Sequence, residues 1–339
     1  MTTVLVTGGM GFIGSNFIRY MLKSHPDYKI INLDKLTYAG NPENLRDIES
    51  NPNYTFIKGD ICDKKIVETC MKKAEYVINF AAETHVDRSI YYADEFIKTD
   101  VYGTFILLES MRQYPVKRFV QISTDEVYGN CGAEPSTEES PLHPKSPYAA
   151  SKTGADRLTY SYWSTYDLPV IITRCTNNYG PYQYPEKLIP LFVTNAIENK
   201  PLPVYGDGRN SRDWIYVQDH CTAIDLVMHA DGYDGEIFNI GANKELSVLE
   251  ITDIILKTLN KGKELINHIK DRPGHVKRHA VNTNKINTIL DWKPDYDFKT
   301  AMVETINWYV NNDGWWRKIK YQDENFKSFY KLNYEENKN

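Results

Sequence analysis

The sequence predicts an α/β protein: a doubly wound parallel sheet with a smaller mixed α/β domain for a substrate. Three observations predict it. Short β-branched apolar runs alternate with helix-length amphipathic segments through the first half of the chain. A glycine-rich turn follows the first run and opens the first helix. Asp34 ends the second run, at the offset a ribose-binding carboxylate takes in a dinucleotide fold.

Residues 4–6, 30–33, 54–57, 76–80 and 119–122 read as strands, and 13–23, 64–73 and 94–113 as helices between them. This alternation builds βαβ units and hence a parallel sheet. Segments 169–174 and 237–240 read as further strands of that sheet. Residues 129–147 break the rhythm with Pro135, Pro141, Pro144 and Pro147. A loop this long in a compact domain is functional or mobile. Helices are expected at 148–166, near 188–199 and near 248–259. The expected division is 1–180, with a return near 213–240, for the cofactor. Segments 181–212 and 241–320 form the substrate part, and 321–339 a polar C-terminal tail with little periodicity.

The chain has 339 residues, 41% of them apolar, enough for a real core. Lys plus Arg total 40 and Asp plus Glu 45, a formal charge of −5. That balance disfavours a nucleic-acid or anionic-membrane partner but leaves room for a local basic pocket. The start lacks the features of a secretory signal, and no run approaches the roughly 20 apolar residues of a membrane span. Cys62, Cys70, Cys131, Cys175 and Cys221 are scattered, odd in number and without a C-x-x-C pair. A reduced, soluble, cytoplasmic protein is the simplest expectation.

The turn Val4-Leu-Val-Thr-Gly8-Gly-Met-Gly11-Phe-Ile-Gly14 lies between a strand and a helix. Glycine permits the dihedrals of such a turn, and its backbone amides can approach a pyrophosphate at the helix N-terminus. Asp34 can accept hydrogen bonds from ribose hydroxyls and repel a 2′-phosphate, which favours NAD over NADP.

Tyr148 and Lys152 share one face of the expected helix after the Pro-rich loop. A tyrosine titrates near about 10, and a nearby ammonium lowers that value, so the pair is a candidate base for a hydroxyl proton. Thr124, Asp125 and Glu126 follow the fifth strand, where doubly wound sheets bind ligands. Two adjacent carboxyls offer an acid and a base if their surroundings separate their pKa values. A solvated acidic turn is the plainer alternative.

With these motifs in place, the chain resembles an extended short-chain dehydrogenase/reductase, and within that family the dTDP-glucose 4,6-dehydratases. The resemblance runs from about residue 2 to about residue 312. Besides the turn at 7–14, it rests on 33–40, 59–63, 81–89, Ser123–Gly129, 146–152, 177–182, 201–206, Arg212-Asp-Trp and Asp271-Arg-Pro-Gly-His275. Thr-Asp-Glu at 124–126 discriminates: epimerases of this fold keep a hydroxyl and Tyr-x-x-x-Lys but lack the adjacent acid pair. The departures are Met10 in the glycine turn, Thr84 for the usual Ser, and Ser247 where a nucleotide-contacting Asn is usual.

The resemblance implies a Rossmann sheet and a bound NAD regenerated in each turnover. Gly8, Gly11, Phe12, Ile13 and Gly14 would hold its phosphates, and Asp34, Lys35, Leu36 and Thr37 the adenosine end. Asp60, Ile61, Ala81, Ala82 and Thr84 would line it further along, with Thr99, Tyr148, Lys152 and Asn178. The substrate would meet Thr84, Thr124, Asn177, Lys187 and the Leu188 amide. Pro203, Tyr205, Arg212, Arg272 and His275 would take its nucleotide end. Without the resemblance, Arg212 and Arg272 read more simply as ion pairs with Asp213 and Asp271. No metal site is expected: His275 and His279 share helical spacing, but Pro273 and Gly274 argue for a loop there. His85 reads as a supporting residue near the cofactor. Trp308, Trp315 and Trp316 read as core or interface.

The implied reaction is dehydration of a nucleotide sugar. Tyr148 takes the proton of the 4-hydroxyl as hydride leaves carbon 4 for NAD. Glu126 removes the proton on carbon 5, Asp125 protonates the departing 6-hydroxyl, and the hydride returns to carbon 6. The product would serve deoxysugar biosynthesis, rhamnose included, and a homodimer through the helices at 94–113 and 148–166 is implied as well. A UDP-glucose dehydratase, a nucleotide-sugar epimerase or decarboxylase, and a non-catalytic NAD-sensing regulator remain the alternatives. The intact active-site set and the acid pair argue against the last two.

Overall fold

The computed structural model describes residues 2–336. Met1 and residues 337–339, the end of the expected tail, lie outside the described residues. In chain order the first strands are β1 (Thr3–Thr7), β2 (Lys29–Asp34), β3 (Tyr54–Lys58), β4 (Tyr76–Asn79), β5 (Arg118–Thr124) and β6 (Val170–Cys175). They are followed by β7 (Asn177–Tyr179), β8 (Leu202–Tyr205), β9 (Ser211–Tyr216), β10 (Ile237–Ile240), β11 (Glu245–Ser247), β12 (Ile266–Ile269) and β13 (Arg278–His279). Seven of these form one sheet in the order β10-β6-β5-β4-β1-β2-β3, every neighbouring pair parallel. This is the doubly wound arrangement, with its ligand crevice beyond the strand C-termini.

The helices of the first half are α1 (Phe12–Ser24), α2 (Lys64–Met71), α3 (Val86–Tyr91), α4 (Ala93–Phe96), α5 (Thr104–Gln113) and α6 (Pro147–Tyr166). Those of the second are α7 (Leu188–Ile197), α8 (Val217–His229), α9 (Val248–Thr258), α10 (Asn284–Leu290), α11 (Phe298–Asn311), α12 (Asp313–Gln322) and α13 (Glu324–Tyr330). The pleat of β1 sorts its side chains between two cores. Val4 and Val6 join Phe17 and Ile224 on the face covered by α1 and α8. Leu5 joins Leu107 and Phe119 on the face of α2, α5 and α6. The first of these cores continues without a break through Ile189 and Ile255 to Ile306. The two expected parts of the chain therefore share one apolar interior. No helix among the described residues is long and apolar enough to cross a membrane.

Outside the main sheet, β9 pairs with β7, β11 and β13, and β8 pairs with β12. These small ladders carry β7, which follows β6 directly, toward the segment at Arg272–His279.

Two elements differ from the sequence reading. The helix expected over 94–113 is interrupted by a π-helical stretch, Ile97–Gly103, whose wider turn re-aims Thr99 and Asp100. The expected tail is helical through α12, α13 and a second π-helical stretch, Lys331–Glu336. Phe326 and Phe329 are buried, and Lys320 donates to Asn195 and Glu198 at 2.9 Å each. Helices this short draw their stability from tertiary contact rather than propensity, which the local pattern does not record.

A buried polar node joins the elements that border the crevice. Arg174 on β6 is 1% exposed and grips Asp156 of α6 through Nε and Nη2, at 2.9 and 3.0 Å. Its Nη1 donates to the Tyr128 hydroxyl at 2.8 Å, and that hydroxyl donates to Asn239 of β10 at 2.8 Å. The Asn239 amide in turn donates to Glu138 of the Pro-rich loop. Removing Arg174 would leave the buried Asp156 to the partly exposed Arg157, and the Tyr128 hydroxyl without its donor. Arg174→Met should therefore cost about 3–5 kcal/mol of unfolding free energy, read from the urea midpoint. An unchanged midpoint would refute this account of the node.

Candidate active site

One cavity of about 390 Å³ opens at the C-terminal ends of the central strands. Every residue assigned above to catalysis, cofactor or substrate lines it except Leu36. Leu36 has φ 60° and borders a neighbouring hollow with Tyr38, Trp315 and Asp323.

The glycine turn at one end of the cavity is built for close approach. Gly8 has φ +70°, and a Cβ there would sit 2.6 Å from the Ala81 nitrogen. A Cβ on Gly14 would sit 2.5 Å from the Gly8 carbonyl oxygen, so α1 packs directly on the turn. Gly11 caps α1 without a side-chain hydrogen bond, leaving first-turn amides for an anion. Met10 points into the core, so the departure at that position leaves the cradle open. Asp34 accepts the Met10 and Leu36 amides at 2.8 and 2.7 Å, which fixes its carboxylate at the end of β2. Its remaining lone pairs are free to take ribose hydroxyls. Lys35 pairs with Asp60 at 2.9 Å on the adjoining wall. Cradle, helix terminus and carboxylate together fit a dinucleotide.

The middle of the cavity holds the acid pair. Asp125 and Glu126 leave β5 in a 3₁₀ turn capped by the Thr124 hydroxyl, which receives the Glu126 amide at 3.2 Å. The same hydroxyl donates to Asp125 Oδ1 at 3.2 Å, while Oδ2 is buried without a partner. Burial, then repulsion by Glu126, pushes the Asp125 carboxyl well above its usual range. Burial also pushes Glu126 up, but His279, Arg272, Arg212 and Lys187 outweigh it and leave Glu126 below its ordinary value. Adjacent carboxyls thus have opposite protonation preferences, the condition for an acid beside a base.

Tyr148 and Lys152 face this pair from α6, whose start is fixed by Ser146 accepting the Ala149 amide and by Pro147. Lys152 is 5% exposed and donates to the Ile122 carbonyl at 2.7 Å. The expected lowering of Tyr148 by the ammonium is not what the protein alone provides. Burial, then Glu126, Cys175 and Asp100, raises Tyr148 well above 10. Burial also lowers Lys152, against the pull of Asp100. A positive charge brought close to the phenol would favour the tyrosinate. Asp100, on the π-helical stretch, accepts Ser151 Oγ at 2.6 Å and the Glu83 amide at 2.9 Å. It clamps α6 to the loop after β4.

At the far end, cations gather. Arg272 pairs with Asp87 at 2.5 Å rather than with Asp271, which instead accepts from the Arg272 amide and His275. Arg212 donates to the carbonyls of Ser211 and Val276, while Asp213 receives the amides of Asn243 and Lys244. Neither simple neighbour pair forms. Lys187 donates to the Thr84 carbonyl at 2.6 Å and is lowered to about 8, chiefly by burial. The Leu188 amide opens α7 as expected. The Asn178 amide group bonds His220 and the Thr176 carbonyl, so only its remaining face is turned to the cavity. Ser247 caps α9 in a reciprocal pair with Glu250 and does not line the cavity.

Sequence reasoning missed several lining residues. Asp87 holds Arg272 and accepts Tyr205 OH at 3.1 Å. Glu186 receives Arg88 in a fork at 3.0 and 2.8 Å, with His85 3.4 Å away. Tyr334 of the C-terminal segment lines the cavity, and the adjacent Asn333 donates to Tyr205 OH at 2.7 Å. The spacing of Phe326, Phe329, Tyr330 and Tyr334 follows a helical period and was the available signal.

Comparisons with known proteins agree with this geometry. The family model described as GDP-mannose 4,6 dehydratase matches residues 5–305. A dTDP-glucose 4,6-dehydratase of Streptomyces niveus is 47% identical over 325 residues, which cover 95% of this chain and 96% of that protein. Among solved structures, a dTDP-glucose 4,6-dehydratase from Bacillus anthracis in complex with NAD is 50% identical. Its TM-score is 0.88, covering 94% of this chain and 100% of that one. A dTDP-glucose 4,6-dehydratase from Streptomyces venezuelae, also with NAD bound, is 46% identical with a TM-score of 0.92 and the same coverage.

Proposed function

The chain belongs to the GDP-mannose 4,6 dehydratase family of extended short-chain dehydrogenase/reductases, and from that premise we propose that it dehydrates a nucleotide sugar. It is an NAD-dependent hydro-lyase that converts dTDP-glucose to dTDP-4-keto-6-deoxyglucose. The observation that carries this reading is the opposed environment of Asp125 and Glu126. A 4-epimerase needs no acid to expel water, whereas a dehydratase needs both groups at once.

The turn from Gly8 to Gly14 with the start of α1 would hold the NAD phosphates. Asp34 would hold the adenosine ribose, and Tyr148 with Lys152 the nicotinamide end. When bound, NAD would supply a reversible store for one hydride and the positive charge of its nicotinamide. Tyr148 takes the proton of the sugar's 4-hydroxyl. Once carbon 4 is a ketone, the proton on carbon 5 is acidic, and Glu126 removes it. Asp125 delivers its proton to the oxygen on carbon 6, which leaves as water. Carbon 5 is then reprotonated. Over the cycle Tyr148 gains the proton that Asp125 gives up. The Thr124 hydroxyl, which donates to Asp125 and lowers Tyr148 slightly, stands where it could relay that proton. Arg212, Arg272 and Lys187 face the diphosphate, where guanidinium forks suit phosphate oxygens.

In this reading residues 1–180 with 213–240 carry the cofactor, and 181–212 with 241–320 close over the sugar nucleotide. The product suits a 6-deoxysugar pathway such as rhamnose formation. The chain is placed in the cytoplasm, in keeping with its five unpaired cysteines. Neither nucleic acid nor membrane is a partner. A second copy of the chain is: Tyr92, Ile97, Tyr102, Phe105 and Tyr166 leave a broad apolar strip exposed around α4 to α6. Sedimentation at twice the chain mass is expected, and a monomer at micromolar concentration would rule the dimer out.

The direct test incubates the protein with dTDP-glucose and with UDP-glucose. A 4-keto-6-deoxy product from dTDP-glucose, with no net consumption of NAD, is expected. Turnover of UDP-glucose instead would move the base preference, and a 4-epimer would overturn the dehydratase. Two variants separate the steps. Glu126→Gln should slow elimination by about 10²- to 10⁴-fold while the first oxidation, followed by nicotinamide absorbance, persists. Tyr148→Phe should suppress the oxidation itself. Equal loss of that absorbance in both would contradict the division of roles.

A further inference from the structure

His279 was set aside above as a metal ligand, and the structure places it elsewhere. It ends β13, whose parallel register sets it beside Arg212 of β9. The residue is 2% exposed. Its Nε2 lies 3.7 Å from Glu126 Oε2 and has no hydrogen-bond partner. A buried ring nitrogen without a partner is uncommon and asks for an explanation. The separation is too long for a hydrogen bond, yet bonds within a catalytic site often tighten only when substrate is in place.

We propose that His279 is a positioning residue for the carbon-5 base, donating from Nε2–H to the Glu126 carboxylate and aiming it at the sugar. The inference rests on the assignment of Glu126 above.

The surrounding charges explain why an imidazole suits this place. Glu126 is faced by Arg212 from β9, Arg272 from the loop before β13, Lys187 from the start of α7, Asp125 from the turn after β5 and Tyr148 from α6. His279 is faced by Glu126, Arg212, Arg272 and His275. Burial lowers His279 to about 4, Glu126 opposing and Arg212, Arg272 and His275 assisting, so the ring is neutral in the working range. A neutral donor orients the carboxylate and lowers its basicity less than another fixed cation would. When a diphosphate engages Arg212 and Arg272, their charge is committed to that anion. His279 then remains as the near donor to Glu126.

Wild type, Glu126→Gln, His279→Phe and His279→Gln are compared in single turnover and across pH, with melting temperatures recorded. His279→Phe should slow elimination by about 10- to 100-fold while the first oxidation stays within about threefold. Loss of the donor raises Glu126, so the acid limb of elimination should move to higher pH. His279→Gln, which keeps an N–H, should recover most of the rate. In His279→Ala, added imidazole should restore elimination by a second route. Equal slowing of both steps, an unmoved acid limb, or no recovery with Gln or imidazole would overturn the proposal. If Glu126→Gln is slow and His279→Phe is not, this inference alone fails. If Glu126→Gln eliminates at the wild-type rate, the base assignment fails and this inference with it.

Discussion

The relative placement of the proposed acid and base and of Tyr148 depends on one buried guanidinium. Asp125 and Glu126 ride on a short 3₁₀ turn, and Tyr148 and Lys152 on a separate helix. Arg174 joins them, binding Asp156 one turn along from Lys152 and Tyr128 at the end of the acid turn. Through Tyr128 and Asn239 the same node reaches the Pro-rich loop at Glu138. Such a network strengthens when every member is satisfied, and here the fork, the hydroxyl and the amide all have partners. Catalytic groups need placement within a fraction of an ångström, and packing around a satisfied ion pair is one way to hold it.

Around that scaffold a few buried charges act on the acid pair. The chain is acidic overall at −5, yet the cavity gathers Lys152, Lys187, Arg212 and Arg272. These cations are desolvated, and their effect on the acid pair is unequal. Glu126 feels His279, Arg272, Arg212 and Lys187 together, whereas Asp125 feels first the repulsion of Glu126, with Arg212 the one cation among its main influences and Asp213 opposing it. Two residues adjacent in the chain come to prefer different protonation states because the turn points them at different walls. The net charge of the chain carries no information about this ligand. The local field does.

Much of this was legible in the sequence because it is written in local pattern. The buried strands of a parallel sheet leave short apolar runs, and Gly8, Gly14 and Asp34 mark the cofactor end by backbone geometry and spacing. Tyr148 with Lys152 and Asp125 with Glu126 are neighbours in the chain, so their pairing needed no tertiary information. What escaped depends on long-range contact. Asp87 meets Arg272 across 185 positions, and Asn333 meets Tyr205 across 128. His279 meets Glu126 only because β13 docks beside β9. Short helices held by tertiary packing, as in α12 and α13, read as an irregular tail for the same reason. The behaviour of Tyr148 was misjudged on a different ground: spacing places an ammonium nearby but does not give the cost of burying the phenol.

In the proposed reaction one hydride travels within a single bound sugar, from carbon 4 to carbon 6. The most direct measurement supplies dTDP-glucose labelled with deuterium at carbon 4, in ordinary water, and examines the product by mass spectrometry and NMR. A 4-keto product whose new methyl group carries the deuterium is expected. Deuterium lost to solvent, or retained at carbon 4 of a sugar that still bears its 6-hydroxyl, would contradict it.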